Sequence, residues 1–279
     1  MTKGPRTSAT PADQIAQLRS EIAQLLTAAA TSRLSGAGLR KLNDEIRTAI
    51  SELDDFLRHL DPIRQPSSVF DPSNPKVVGR FVSLALVAQL RHSLEDIPKV
   101  YGSGVYAIYY KGNFEPYRPW SGSETPLYVG QAAPSDRNAR TATEQGPRLS
   151  ARLNEHRKNI IKAASTLDCS DFEYRSLVVQ SGWETAAEDY LIHLFRPLWN
   201  NETSIVYGLG KHGDAATTRG NKRSPWDTLH PGRRWAADTA EDAKTIEQIT
   251  SEIATHSTAH RVYLDLDAVL ESFLEELKQ

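Results

Sequence analysis

The sequence predicts an α+β fold, in which a small mixed or antiparallel sheet with flanking helices follows a helical hairpin and precedes a C-terminal extension. Three observations carry that reading. Apolar residues step by three and four through positions 15–60, which is the helical period. Short runs rich in aromatic and β-branched residues then alternate with further helical spacings, in the order strand, strand, helix, strand, helix. A proline-rich stretch at 63–77 separates the two regions.

The elements follow in chain order. Ile15, Leu18, Ile22 and Leu25 line one helical face, and Leu39, Leu42, Ile46, Ile50, Leu53, Leu57 and Leu60 line another. The break between them, 32–38, holds two glycines and suits a hairpin turn. Asp61-Pro62 ends the second helix, because proline cannot continue it and restricts the residue before it. A two-helix unit buries little surface alone, so it packs either on a second copy or on the rest of the chain. After the linker, 79–92 reads as a helix with Phe81, Leu84, Ala85 and Ala88 on one stripe. Residues 105–110 and 127–130 read as strands around a loop of turn formers at 112–126. A helix is expected over 148–164, a strand over 172–179, and a helix over 183–195 that stops before Pro197. The last strong helix candidate is 266–277. The expected domains are 1–62 (hairpin arm), 63–99 (linker and packing helix), 100–204 (core) and 205–279 (loop and acidic helical extension).

Composition narrows the function classes. The 33 Lys+Arg and 35 Asp+Glu leave a net charge of −2, which excludes a uniformly basic coat. The charge is patterned, however. Seven basic against two acidic residues give 137–162 a local +5, and six against two give 205–235 a local +4. Ten acidic against three basic residues give 236–279 a local −7. The basic stretches could share one positive cleft or lie on separate solvated surfaces. The single cysteine, Cys169, excludes a disulfide framework and a cysteine zinc site. Met1–Gln14 lacks the apolar run of a signal peptide, and the longest apolar stretch, 81–87, is far shorter than the roughly 20 residues of a membrane span. A soluble, cytoplasmic protein with no membrane partner is expected.

Two expected strands each carry a tyrosine beside small and apolar residues, in Gly104-Val105-Tyr106 and Tyr128-Val129-Gly130. Arg152 and His156 lie four apart on the next helix, hence on one face. Glu188 sits on or beside the apolar face of the following helix, an expensive place for a carboxylate without a partner. Asn200 comes twelve residues later. In this order these residues resemble the GIY-YIG nuclease superfamily, with GVY and YVG standing for its two motifs, over about residues 100–204. The Arg152/His156 pair and the stretches AEDYLIHLFRPLWN and SPWDTLHPGRRWA are similar to its Type II restriction endonuclease branch.

The resemblance implies a homodimeric or homotetrameric enzyme that cuts double-stranded DNA at a short, GC-rich palindrome, with a matching DNA methyltransferase in the same host. It implies Tyr106 for water activation, Arg152 for the scissile phosphate, Glu188 as the metal ligand and Asn200 as an orienting residue. The chemistry suits these types. A carboxylate beside phosphate suits Mg²⁺, with Mn²⁺ as a substitute. Arginine is a permanent forked cation; Arg148, one turn earlier, competes for that role. His156, titrating near neutrality, is expected to accept the proton, and Tyr128 to hydrogen-bond nearby or contact phosphate. After the core, glycines are interleaved with Lys211, His212, Arg219, Asn221, Lys222 and Arg223, which makes this stretch the expected reader of guanine edges and phosphates. A homing or repair nuclease of the same superfamily, and a non-catalytic DNA-binding module on the same fold, are the alternatives.

Overall fold

The computed structural model describes residues 10–31, 36–60, 63, 69–210, 222–237, 239 and 241–277. The chain divides into two compact units, Met1–Phe70 and Asp71–Gln279.

The first unit holds α1 (Pro11–Thr31) and α2 (Gly36–Leu60). Thr10 and Asp13 cap α1 by exchanging hydrogen bonds between side chains and main chain. The seam residues Ile15, Ile22, Leu25, Leu53, Leu57 and Leu60 all remain exposed.

The second unit opens with α3 (Pro75–Val87), which starts inside the expected linker and ends earlier than expected. The cause is local. Asn74 accepts a hydrogen bond from the Lys76 N–H, and Pro75 occupies the first helical position, where its missing donor costs nothing. Four strands then build one sheet: β1 (His92–Ser93), β2 (Gly104–Tyr110), β3 (Tyr128–Ala132) and β4 (Phe172–Val178). The order is β1-β4-β2-β3 and every pairing is antiparallel. Helices α4 (Ala142–Gln145) and α5 (Arg148–Lys162) lie between β3 and β4, and α6 (Glu184–Phe195) follows β4.

Strand β2 is buried along its whole length because both sheet faces are covered. Tyr106, Ile108 and Tyr110 pack into one core with Leu149, Leu153 and Ile160 of α5 and with Trp199 and Trp226. Val105, Ala107 and Tyr109 pack into the other with Leu86 of α3 and Ala187, Leu191 and Phe195 of α6.

The C-terminal extension belongs to this same compact unit. It holds a two-residue parallel pairing of β5 (Lys222–Arg223) with β6 (Glu241–Asp242) and the short helices α7 (Pro225–Leu229) and α8 (Arg234–Ala237). Helix α9 (Ile246–Ala259), not expected from sequence, buries Ile249 and Ile253 in the first core. The expected α10 (Leu266–Leu277) buries Val269 and Phe273 in the second. Among the described residues no helix is long and apolar enough to cross a membrane.

Candidate active site

The sheet brings the two tyrosine motifs side by side, with Tyr106 opposite Gly130 across the β2–β3 pair. A β-carbon on Gly130 would lie 2.4 Å from the Tyr106 hydroxyl and 2.9 Å from the Tyr128 ring, so only glycine leaves room for the phenol. Gly104, at φ +151°, answers a different constraint: a β-carbon there would meet the Leu177 carbonyl at 2.0 Å on neighbouring β4.

Under this pair lies α5. The Tyr106 hydroxyl is 2.7 Å from His156 Nε2, and both side chains are 0 % exposed. The Tyr128 ring packs 4.8 Å from the imidazole and 6.1 Å from the Tyr106 ring. Burial pushes the Tyr106 phenol well above its ordinary range, with Tyr128 adding to the rise and Arg152 opposing it. Burial, reinforced by the charges of Arg152 and Arg233, holds His156 down at about 3. This corrects the expectation of titration near neutrality: no water reaches the ring to solvate an imidazolium. The neutral ring and the Tyr106 hydroxyl share one hydrogen bond at Nε2, while Nδ1 is buried with no hydrogen-bond partner among the described residues.

Arg152 is half-buried beside the phenols, and its Nη1 donates to Glu155 Oε2 at 2.8 Å. Burial works against its charge, but Tyr106, Glu155 and Tyr128 outweigh it, so the guanidinium stays charged. Arg148 is exposed and donates Nε–H to the Ala133 carbonyl at 3.0 Å, away from the phenols. Of the two competing arginines, Arg152 is therefore the one packed at the tyrosine pair.

Glu188, on α6, lies close enough to raise both phenols electrostatically. Burial pushes its carboxyl up to about 7; Gln131 opposes the rise, while Glu202 and Asp189 add to it. Among the described residues no basic side chain is ion-paired with it. A half-buried carboxylate without a counter-cation suits an oxygen-preferring divalent ion. Mg²⁺ needs few protein ligands because it keeps waters and takes phosphate oxygens. Among the described residues there is no cluster of three or more His, Cys, Asp or Glu.

Asn200 is buried with its amide fully used. Its Oδ1 accepts the Val129 N–H and its Nδ2 donates to the Val129 carbonyl, each at 2.9 Å. It fastens the main chain of β3 at Val129, between Tyr128 and Gly130 of the second motif.

The expected base readers divide differently. Lys211, His212, Arg219 and Asn221 lie outside the described residues. Lys222 faces Glu241 at 3.6 Å. Arg223 donates to the Ala236 and Thr239 carbonyls at 3.0 and 3.1 Å and pairs with Asp242 at 3.3 Å. Its guanidinium is committed to fastening the segment, which departs from the base-reading expectation.

Sequence reasoning missed Arg233, 3 % exposed and forked onto both Asp227 oxygens at 2.6 and 2.7 Å. The only available signal was the SPWDTLHPGRRWA stretch, where two tryptophans flank these charges; the indole rings stack on Arg233 at 4.6 and 4.9 Å. Also missed was a buried chain in which Trp199 donates to Tyr117, Tyr117 to His230 Nε2, and His230 Nδ1–H to Thr166. That chain binds the extension to the core.

A family model described as the Eco29kI GIY-YIG domain matches residues 98–257. The match covers both tyrosine motifs, α5, α6, the Asp227–Arg233 pair and most of α9. No curated protein matches the chain significantly.

Proposed function

From the premise that this chain belongs to the Eco29kI GIY-YIG domain family of restriction-type nucleases, we propose that it is a metal-dependent, sequence-specific endonuclease of double-stranded DNA. The observation that carries the reading is the buried Tyr106–His156 hydrogen bond, with Arg152 and Glu188 both acting on the same phenol.

The chemistry follows from the protonation states. A phenol raised by burial does not rest as phenolate, so Tyr106 works by passing a proton on. As water attacks phosphorus, its proton moves to the Tyr106 oxygen while the phenol proton moves to His156 Nε2. Neutral His156 is the state that can accept it, and the bound phosphate, by pairing with Arg152, offsets one of the charges that disfavour the imidazolium. Arg152 holds the scissile phosphate and offsets the charge that builds on its oxygens. Tyr128, packed against both rings, orients the water or a phosphate oxygen. Glu188 would hold Mg²⁺, or Mn²⁺ in its place, with waters and phosphate oxygens completing the shell. When bound, the ion neutralises charge developing on the leaving oxygen.

One catalytic unit cuts one strand, so a short GC-rich palindrome calls for a symmetric homodimer or homotetramer. The exposed seams of α1 and α2 support self-association through that unit. Such an enzyme acts in the cytoplasm beside its host's DNA, which a methyltransferase of matching specificity would shield. The test is digestion of DNA of known sequence with Mg²⁺. Discrete fragments with one mapped end sequence support the reading. A smear or nicking points to a homing or repair activity, and retention on DNA without cutting points to a binding module.

A further inference from the structure

The Arg152 guanidinium is touched from one side by Glu155 of its own helix. Near its Nη2 stands Gly210: a β-carbon there would lie 3.3 Å from that nitrogen, the one neighbour within 4 Å among the described residues. Three observations show how tightly the main chain of 208–210 is held. Arg233 spends the donors it does not give to Asp227 on the Gly208 carbonyl at 2.7 Å and the Leu209 carbonyl at 3.2 Å. Asn159, on α5 three residues beyond His156, donates to the same Leu209 carbonyl at 3.0 Å. Gly208, at φ +113°, lets Ser224 close in, and a β-carbon there would strike Ser224 Oγ at 2.3 Å. Ser224 Oγ in turn donates to Asp227 Oδ2 at 2.5 Å, which fixes the carboxylate that holds Arg233.

Resting on the nuclease reading, we propose that Arg233 and Asn159 are positioning residues for the reaction: they hold the Gly208–Gly210 segment beside the Arg152 guanidinium and so help fix its aim at the scissile phosphate. Arginine carries much rotamer freedom, and a half-buried one held at a single end would keep part of it. Here the fork meets Glu155 at Nη1 and the Tyr106 and Tyr128 hydroxyls, and the Gly210 segment limits the space left near Nη2. The backbone is anchored through a buried ion pair stacked between Trp226 and Trp235. Asn159 ties that backbone directly to α5, so the wall moves with the helix that carries Arg152. A misplacement of about 1 Å in a group that touches the reacting phosphate costs on the order of 100-fold in rate. A β-carbon at 210 would be tight against the cation, and a branched side chain there would displace it.

The test uses the full chain with Asn159→Ala, which removes one donor; Gly210→Val, which pushes on Arg152; and Arg233→Lys, which keeps the charge but loses the fork. Single-turnover cleavage in Mg²⁺, DNA affinity in Ca²⁺ and the melting temperature are measured for each. The expected result is a fall in kcat of about 10- to 100-fold in Asn159→Ala and Gly210→Val. Ca²⁺-supported affinity and melting temperature should stay near those of the wild type. A merely structural role would lower melting temperature and affinity together with the rate, and that pattern overturns the inference. Rates within twofold of wild type in both variants overturn it as well. If the wild-type protein cuts no DNA, the nuclease reading and this inference fall together; if it cuts and the variants cut equally, only the inference falls.

Discussion

Replacing Tyr106 with phenylalanine keeps the ring in the core and removes one hydroxyl. The hydrogen bond lost is 2.7 Å long and joins two fully buried side chains. His156 Nε2 is then left without a partner in a place water does not reach. That costs about 1–3 kcal/mol, against a total stability of about 5–15 kcal/mol for a typical domain. In a unit of this size each kcal/mol lowers the melting temperature by about 2–4 °C, so Tyr106→Phe stays folded at 25 °C. The rate should suffer far more. Loss of a positioned proton carrier is worth about 10²- to 10⁴-fold, because water must then shed its proton without help. The assay is single-turnover cleavage of a cognate duplex in Mg²⁺, run beside a thermal melt. His156→Ala should fall by a similar factor, and the double variant no further than the worse single one, because the two side chains form one relay. A Tyr106→Phe variant within threefold of wild type, or losses that multiply in the double variant, would refute the relay.

The remaining expectations concern pH, the ion and the hairpin. His156 sits at about 3 in the folded protein against 6.5 free, so between those values the unfolded chain binds more protons; its contribution to stability is complete above about pH 6.5 and is lost as pH falls toward 3. Imidazole NMR titration should accordingly show two histidines silent from pH 5 to 8, His156 and the equally buried His230, and His156→Ala should remove one of them. Glu188→Gln should abolish cleavage and the Mg²⁺-induced rise in melting temperature while leaving affinity for DNA in place; an undiminished Mg²⁺ effect would move the metal site elsewhere. Deleting 1–62 should reduce the oligomeric state measured by sedimentation, and an unchanged state would place the symmetric contact in the second unit.

How much of this was legible in the sequence depended on whether one segment carried the whole signal. Strand β2 was visible because both its faces are buried, which forces a continuous apolar and aromatic run. Strand β1, only two residues long, has too little pattern to see. Helix α9 escaped because only Ile246, Ile249 and Ile253 mark its face among Thr, Ser, Glu and His; its Thr245–Gln248 capping box was a readable signal that went unused. The resemblance to the GIY-YIG superfamily picked out the tyrosines, Arg152, His156 and Glu188, and the fold places them on adjoining elements. The charge state of His156 was not legible, since it depends on burial beneath two strands and on Arg233, 77 residues away in sequence.

Charge shows the same limit most clearly. Counted along the chain, 205–235 looks as basic as a DNA-reading loop should. In the fold, Arg233 is turned inward onto Asp227, Arg223 is spent on two carbonyls and Asp242, and Lys222 faces Glu241. The stretch 137–162 behaves oppositely: Arg137, Arg140, Arg148, Lys158 and Lys162 are all exposed, and they lie on or before the helix that carries Arg152. A linear charge count weighs an arginine the same whether a carboxylate neutralises it in the core or it faces solvent. Only the exposed kind attracts phosphate over a distance. Among the described residues, exposed basic side chains therefore gather on and before α5, the helix of Arg152, while Arg233 is spent on Asp227 and on the Gly208 and Leu209 carbonyls and Arg223 on residues 236–242.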